Sequence, residues 1–134
     1  MARTHKKVRY SPKGKGKGKG KEYTPVTAAQ DVEQAFKVLE GRWKLLILFH
    51  LFGGTVLRFS ELERAIPAIS QKMLIQQLRQ MENDGMVRRI VHHQVPPKVE
   101  YGLTDWGQDL CPALDALLKW AALREEMADA ASNE

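Results

Sequence analysis

Ser70-Gln71-Lys72-Met73-Leu74-Ile75-Gln76-Gln77-Leu78-Arg79-Gln80-Met81 decides the fold of this chain. Leu74, Leu78 and Met81 recur at i, i+4 and i+7, which places them on one face of a helix. Lys72, Ile75, Gln76, Arg79 and Asn83 fall on the other side, and no carboxylate precedes Glu82 in the stretch. A helix that rests on a core through leucines and shows amides and cations outward has the composition of one that reads DNA. An ordinary amphipathic surface helix mixes both signs of charge, so the choice between the two depends on the flanking chain.

On the N-terminal side, Ser60-Glu61-Leu62-Glu63 has the form of a capping box, with serine and glutamate three residues apart. It predicts a short helix through Ala65, with Leu62 and Ile66 inward. Pro67-Ala68-Ile69 makes a turn, and Ser70 is suited to cap the next helix. Helix, short turn, helix is the helix-turn-helix arrangement. On the C-terminal side, Asn83-Asp84-Gly85 is a stop signal. Met86 to His92 is rich in β-branched residues, and Val99 to Leu103 alternates apolar with other residues. The two runs predict strands around the loop His93 to Lys98. A hairpin placed after a helix-turn-helix is a wing. Arg88 and Arg89 point to opposite faces of their strand, so at most one of them faces DNA from within it.

The outer segments are helical in pattern. Pro25 to Leu39 carries Val32, Ala35, Phe36 and Leu39 at helical spacing. A second helix, about Arg42 to Leu51, turns Trp43, Leu46, Ile47 and Leu51 inward, with Leu45, Leu48 and Phe49 broadening the stripe. Such a helix is expected to be buried on several sides. Thr104 can cap a last helix, in which Pro112 predicts a kink or a restart. That helix carries two apolar stripes, more than one small domain covers. A homodimer interface is therefore expected, formed by Val32, Phe36, Leu114, Leu117, Leu118, Trp120 and Ala121; the alternative is that the end helices fold back on their own core. The expected architecture is mainly α with a small β-hairpin wing. A Lys/Gly-rich disordered tail spans residues 1–24, a winged helix-turn-helix and dimerisation domain 25–127, and a flexible tail 128–134.

At 134 residues the chain is one domain, or one domain and a tail. The net charge of +5 is unevenly held. Residues 1–22 carry nine Lys or Arg against Glu22 alone, and residues 23–134 carry twelve against fifteen acids, a balance of −3. Within the latter, residues 58–98 hold seven Lys or Arg against four acids, and the negative balance is assigned to the flanks, from Glu100 onward among others. A basic region on a mildly acidic body is a directional electrostatic footprint. The alternation Lys13-Gly14 through Gly20-Lys21 suits a basic arm that tracks phosphates, or merely a solvated tail. No apolar run reaches the roughly 18 residues of a membrane span, and Cys111, the single cysteine, has no partner for a disulfide and is expected to be inert packing. A cytoplasmic protein is expected. His92 and His93 are adjacent on a strand and so disfavour a shared ion. No metal, cofactor or enzyme pattern is found.

Residues 30 to 120 resemble the HxlR-type winged helix-turn-helix transcriptional regulators, a bacterial group similar in architecture to the MarR group. The resemblance is carried by Glu40-Gly41-Arg42-Trp43-Lys44-Leu45-Leu46-Ile47-Leu48, Arg58-Phe59-Ser60-Glu61-Leu62 and Ile69-Ser70-Gln71-Lys72-Met73-Leu74. It continues through Gln76-Gln77-Leu78-Arg79, Asp84-Gly85-Met86-Val87, Val95-Pro96-Pro97-Lys98-Val99-Glu100-Tyr101 and Leu103-Thr104. It implies a symmetric dimer built from the terminal helices, a recognition helix in the major groove, a wing toward the minor groove, and repression or activation of transcription. Several members sense oxidants through a cysteine ahead of the first helix. This chain has Gln30-Asp31 there, which closes that route. A second departure is Ile75, where the family often has Thr; isoleucine cannot donate to a base but can pack on a thymine methyl.

The expected DNA contacts are Arg58, Ser70, Gln71, Lys72, Ile75, Gln76 and Arg79, with Arg89, His92, His93 and Lys98 in the wing. Ser70 is assigned to phosphate, and glutamine and the cations to adenine and guanine edges. The expected function is a sequence-specific, homodimeric transcriptional regulator of double-stranded DNA on a pseudo-palindromic operator. The rival is a sequence-indifferent architectural DNA-binding protein driven by the tail. A small-molecule effector between the dimer helices and the winged domain is a further partner to consider, and the sequence names no chemistry for it.

Overall fold

The computed structural model describes residues 22–132. Most of the Lys/Gly tail and the last two residues therefore lie outside the described residues. The chain divides into two compact units, 1–40 and 41–134.

The first unit contains α1, Pro25–Val38. Thr24 caps it: the Thr27 amide donates to Thr24 Oγ1 at 3.2 Å, and the Thr24 amide donates to Thr27 Oγ1 at 2.9 Å. Pro25 at the first helical position gives up an amide that would have no intrahelical acceptor. The helix buries none of its residues, and Val32 and Phe36 are 50% and 54% exposed.

The second unit runs α2 (Lys44–Leu51), β1 (Leu57–Arg58), α3 (Phe59–Ala65), α4 (Gln71–Asn83), β2 (Val87–His92), β3 (Lys98–Leu103) and α5 (Asp105–Ser132). Its core is built from Ile47, Leu48 and Leu51 of α2, Leu62 of α3, Leu74, Leu78 and Met81 of α4, and Met86 and Val87 behind them. The α4 stripe is therefore the inward face its spacing predicts. Ser70 caps α4, accepting from the Met73 amide at 3.1 Å. Gly85 ends it with φ of 80°, a left-handed conformation that lets the chain reverse directly into β2.

Several details depart from the sequence reading. The N-cap of α3 is Arg58, whose extended backbone (φ −73°, ψ 158°) belongs to β1. Its amide donates to Glu61 Oε1 at 2.9 Å, so the capping glutamate is Glu61 and the helix begins two residues earlier than a Ser60 cap would place it. The two-residue β1 is an additional strand. It pairs with β3, giving a three-stranded antiparallel sheet in the order β1-β3-β2. In α2 the buried set is Lys44, Ile47, Leu48 and Leu51, while Leu45, Leu46 and Phe49 are 40–49% exposed. The inward stripe thus starts on a lysine, whose long aliphatic stem can lie along apolar surface, and Leu46 is left outside it. Pro112 does not break α5, which is one helix through Ser132, beyond residue 127. Pro112 itself is exposed, so its missing amide costs one intrahelical hydrogen bond at the surface rather than a buried vacancy. Leu114 is only 6% exposed. It is covered by its own chain and is not available to a partner, unlike Leu117, Leu118, Trp120 and Ala121, which are exposed.

The join between α4 and α5 is tight. Thr104 Oγ1 accepts from the Gly107 amide at 3.1 Å, which caps α5, and donates to the Gly85 carbonyl. The Thr104 amide donates to Met86 O at 3.0 Å. Gly107 is buried against the same Met86 backbone.

Candidate nucleic-acid interface

Burial of Leu74, Leu78 and Met81 fixes what α4 shows to solvent. Gln71, Lys72, Ile75, Gln76 and Arg79 are all exposed, and together they line one shallow concavity on the outer surface of the helix. The cap leaves Ser70 exposed at the start of this row, with its hydroxyl oxygen already accepting from Met73; its hydroxyl hydrogen is free to donate outward.

Strand register determines which wing residues join them. Directly paired residues on antiparallel strands point to the same face. Arg89 pairs with Tyr101 and Val91 with Val99, so these four share one face. Arg89, Val99 and Tyr101 line a second concavity together with Gln71, Ile75, Leu78, Arg79 and Glu82 of α4. Arg89 is thus the wing cation that faces α4. Arg88 is on the reverse face, where its Nε donates to Leu103 O at 3.2 Å.

The remaining expected contacts are placed differently. Arg58 pairs with Glu100, Glu100 with Ile90, and Lys98 with His92. These side chains occupy the face of the sheet away from Arg89. There the His92 Nε2 hydrogen-bonds Glu100 Oε1, and Lys98 Nζ lies 3.6 Å from the same oxygen. Burial pushes the Glu100 carboxyl up, but the His92 hydrogen bond and the charges of Lys98 and His92 outweigh it and hold it below the usual carboxylate range. Glu100 therefore lies against the basic region rather than at its flank, where it offsets the Lys98 ammonium and hydrogen-bonds His92. His93 is exposed in the hairpin loop.

Glu100 is the residue that sequence reasoning missed. Its signal was the Lys98-x-Glu100 spacing, which puts both side chains on one face of a strand. Among the described residues no group of His, Cys, Asp and Glu could hold a metal ion, and no helix is long and apolar enough to cross a membrane.

A capped helix-turn-helix, an exposed amide-and-cation row on its second helix, and a hairpin that brings an arginine alongside define a winged helix-turn-helix transcriptional regulator. Comparison with known proteins agrees. The HxlR-like helix-turn-helix family model matches residues 38–129, and the chain belongs to that family. It is 53% identical over 91 residues to the uncharacterised HTH-type transcriptional regulator YtcD of Bacillus subtilis, covering 68% of this chain and 71% of that one. Among solved structures, it resembles the redox regulator HypR in its reduced form, with a TM-score of 0.66 and 41% identity over 75% of this chain and 98% of HypR. A transcriptional regulator of the MarR family from Enterococcus faecalis gives a TM-score of 0.74 at 34% identity, covering 81% of this chain and 97% of that one. The chain is accordingly a DNA-binding transcriptional regulator of helix-turn-helix type.

Proposed function

We propose that the protein acts in the cytoplasm as a homodimer that recognises a pseudo-palindromic operator, with α4 of each protomer in the major groove. The observation that carries this is the convergence of Gln71, Lys72, Ile75, Gln76 and Arg79 on one exposed concavity that no carboxylate lines, with Arg89 of the wing in the adjoining concavity, where Glu82 is the one carboxylate. Lys72 and Arg79 suit guanine edges or phosphates, Gln71 and Gln76 suit adenine, and Ser70 suits a phosphate.

Dimerisation is supported by apolar exposure. Leu118, Trp120, Leu123 and Met127 of α5 are 51–73% exposed on one chain, and α1, with no buried residue, is too short to be stable unsupported in water. A second copy supplies the cover for both, and it sets the two reading helices roughly 34 Å apart, one turn of DNA. Release from DNA does not use the family's N-terminal cysteine, because Gln30 and Asp31, which lie within α1, stand in its place.

The test is binding to an operator obtained by selection from random duplexes. Lys72→Ala or Gln76→Ala is expected to lose about tenfold or more in specific affinity, the cost of one good base contact, with unchanged unfolding. A variant of either kind that binds the operator as tightly as the wild type would remove α4 from the groove.

A further inference from the structure

Ile75 is the one apolar side chain in the outward row of α4, and it lines both concavities of the interface. It is 37% exposed, so it neither completes the core nor stands free of its surroundings. Gln71 and Arg79 lie one turn before and one turn after it on the same stripe, and Val99 and Tyr101 of the wing lie across the concavity.

Resting on the major-groove reading above, we propose that Ile75 is a specificity-determining residue that recognises the 5-methyl group of a pyrimidine, either thymine or 5-methylcytosine. The major-groove edge offers acceptors, donors and one apolar feature, which is that methyl. An aliphatic side chain held between two hydrogen-bonding neighbours can gain only from the methyl. Against a purine N7 or O6 it removes water and returns no hydrogen bond. Selectivity therefore has an attractive and a repulsive part, and both point to the same bases. Cytosine methylated at carbon 5 then substitutes for thymine as far as Ile75 is concerned, which makes binding responsive to methylation of the site.

The experiment uses the full chain and duplexes selected from a random library. In the selected sequence each thymine is replaced in turn by deoxyuridine, which keeps the carbonyl acceptors and lacks the methyl. At the same positions cytosine is compared with 5-methylcytosine. The expected result is one position in each half-site where loss of the methyl weakens binding about fourfold, the worth of burying one such group, in both the T/U and the 5-methylC/C pairs. Ile75→Ala is expected to level both pairs, and Ile75→Val to retain them; the exposure of the residue leaves the core intact in either variant. Methyl effects that are the same size in the wild type and in Ile75→Ala at every position would overturn the methyl reading while leaving α4 as a reader. A library from which no sequence is enriched would overturn both.

Discussion

Replacing Gly107 with alanine offers a test in which helix propensity and packing predict opposite signs. A Cβ at this position meets Met86 O at 2.3 Å, the Met86 carbonyl carbon at 3.1 Å and its Cα at 3.3 Å. All three atoms are backbone, so no side chain can rotate away. Met86 is 2% exposed, and its carbonyl accepts from the Thr104 amide. Relief requires the first turn of α5 to move by about 1 Å from Met86, toward ordinary carbon contact distances. That movement strains the Thr104 cap, which holds both the Gly107 amide and the Gly85 carbonyl. Overpacking of this kind costs about 1–3 kcal/mol, and a weakened cap adds about 1 kcal/mol. Against this, alanine in a helix gains about 1 kcal/mol over glycine. Gly107→Ala is thus expected to destabilise the protein by about 2 kcal/mol. Urea unfolding at fixed protein concentration measures it as a lower midpoint with an unchanged slope. A variant as stable as the wild type, or more so, would refute the close approach, since propensity alone predicts a gain.

Glu100→Gln removes the carboxylate shared by His92 and Lys98. DNA affinity is expected to rise, and the plot of log affinity against log salt to steepen by about one unit for each phosphate newly engaged; an unchanged slope would mean that Glu100 does not restrain those cations. Stability should also respond to pH in a defined direction. The Glu100 carboxyl lies below its ordinary value of 4.5 when folded, so its contribution is present above that value and is lost as pH falls through the lowered folded one. The stability difference between wild type and Glu100→Gln should shrink as pH falls through the carboxylate range, and a difference that grows instead would contradict the sign. On α5, Leu118→Glu with Trp120→Glu is expected to convert the dimer to monomers in sedimentation, without loss of the winged core, because both residues are exposed on one chain. Retention of the dimer would move the interface elsewhere.

The legible parts of the sequence were those with a period. Leu74, Leu78 and Met81 announce the buried side of α4 and so also its readable side, and Ser70 announces its start. What was not legible depended on contacts between distant residues. Both Arg58 and Ser60 have a glutamate three residues later, and by residue preference serine is the better cap. Pairing of Arg58 with Glu100 in the sheet holds the arginine extended and makes it the cap instead. A two-residue strand has no alternation to detect. Lys44 begins the buried stripe of α2, and a pattern search that admits only apolar residues shifts that stripe onto Leu46. Leu114 shows a limit of another kind: a stripe says that a residue is to be covered, without saying by which chain.

Strand register changes the electrostatic reading of the interface as a whole. Treating every wing cation as a phosphate contact gives residues 58–98 a surplus of three positive charges. The sheet divides that surplus. Arg89 faces α4, whereas His92 and Lys98 share Glu100 on the other side. Lys72, Arg79 and Arg89 carry the positive charge along the two concavities, with Glu82 the one carboxylate lining the second. On the proposed function, salt-sensitive attraction and sequence discrimination reside in neighbouring side chains on α4 and β2, and residues 1–22 add a balance of +8. A wing compensated on one face adds orientation more than affinity. Its lysine is held next to a carboxylate, so it gains from a phosphate only where the DNA backbone approaches closely enough to compete with Glu100.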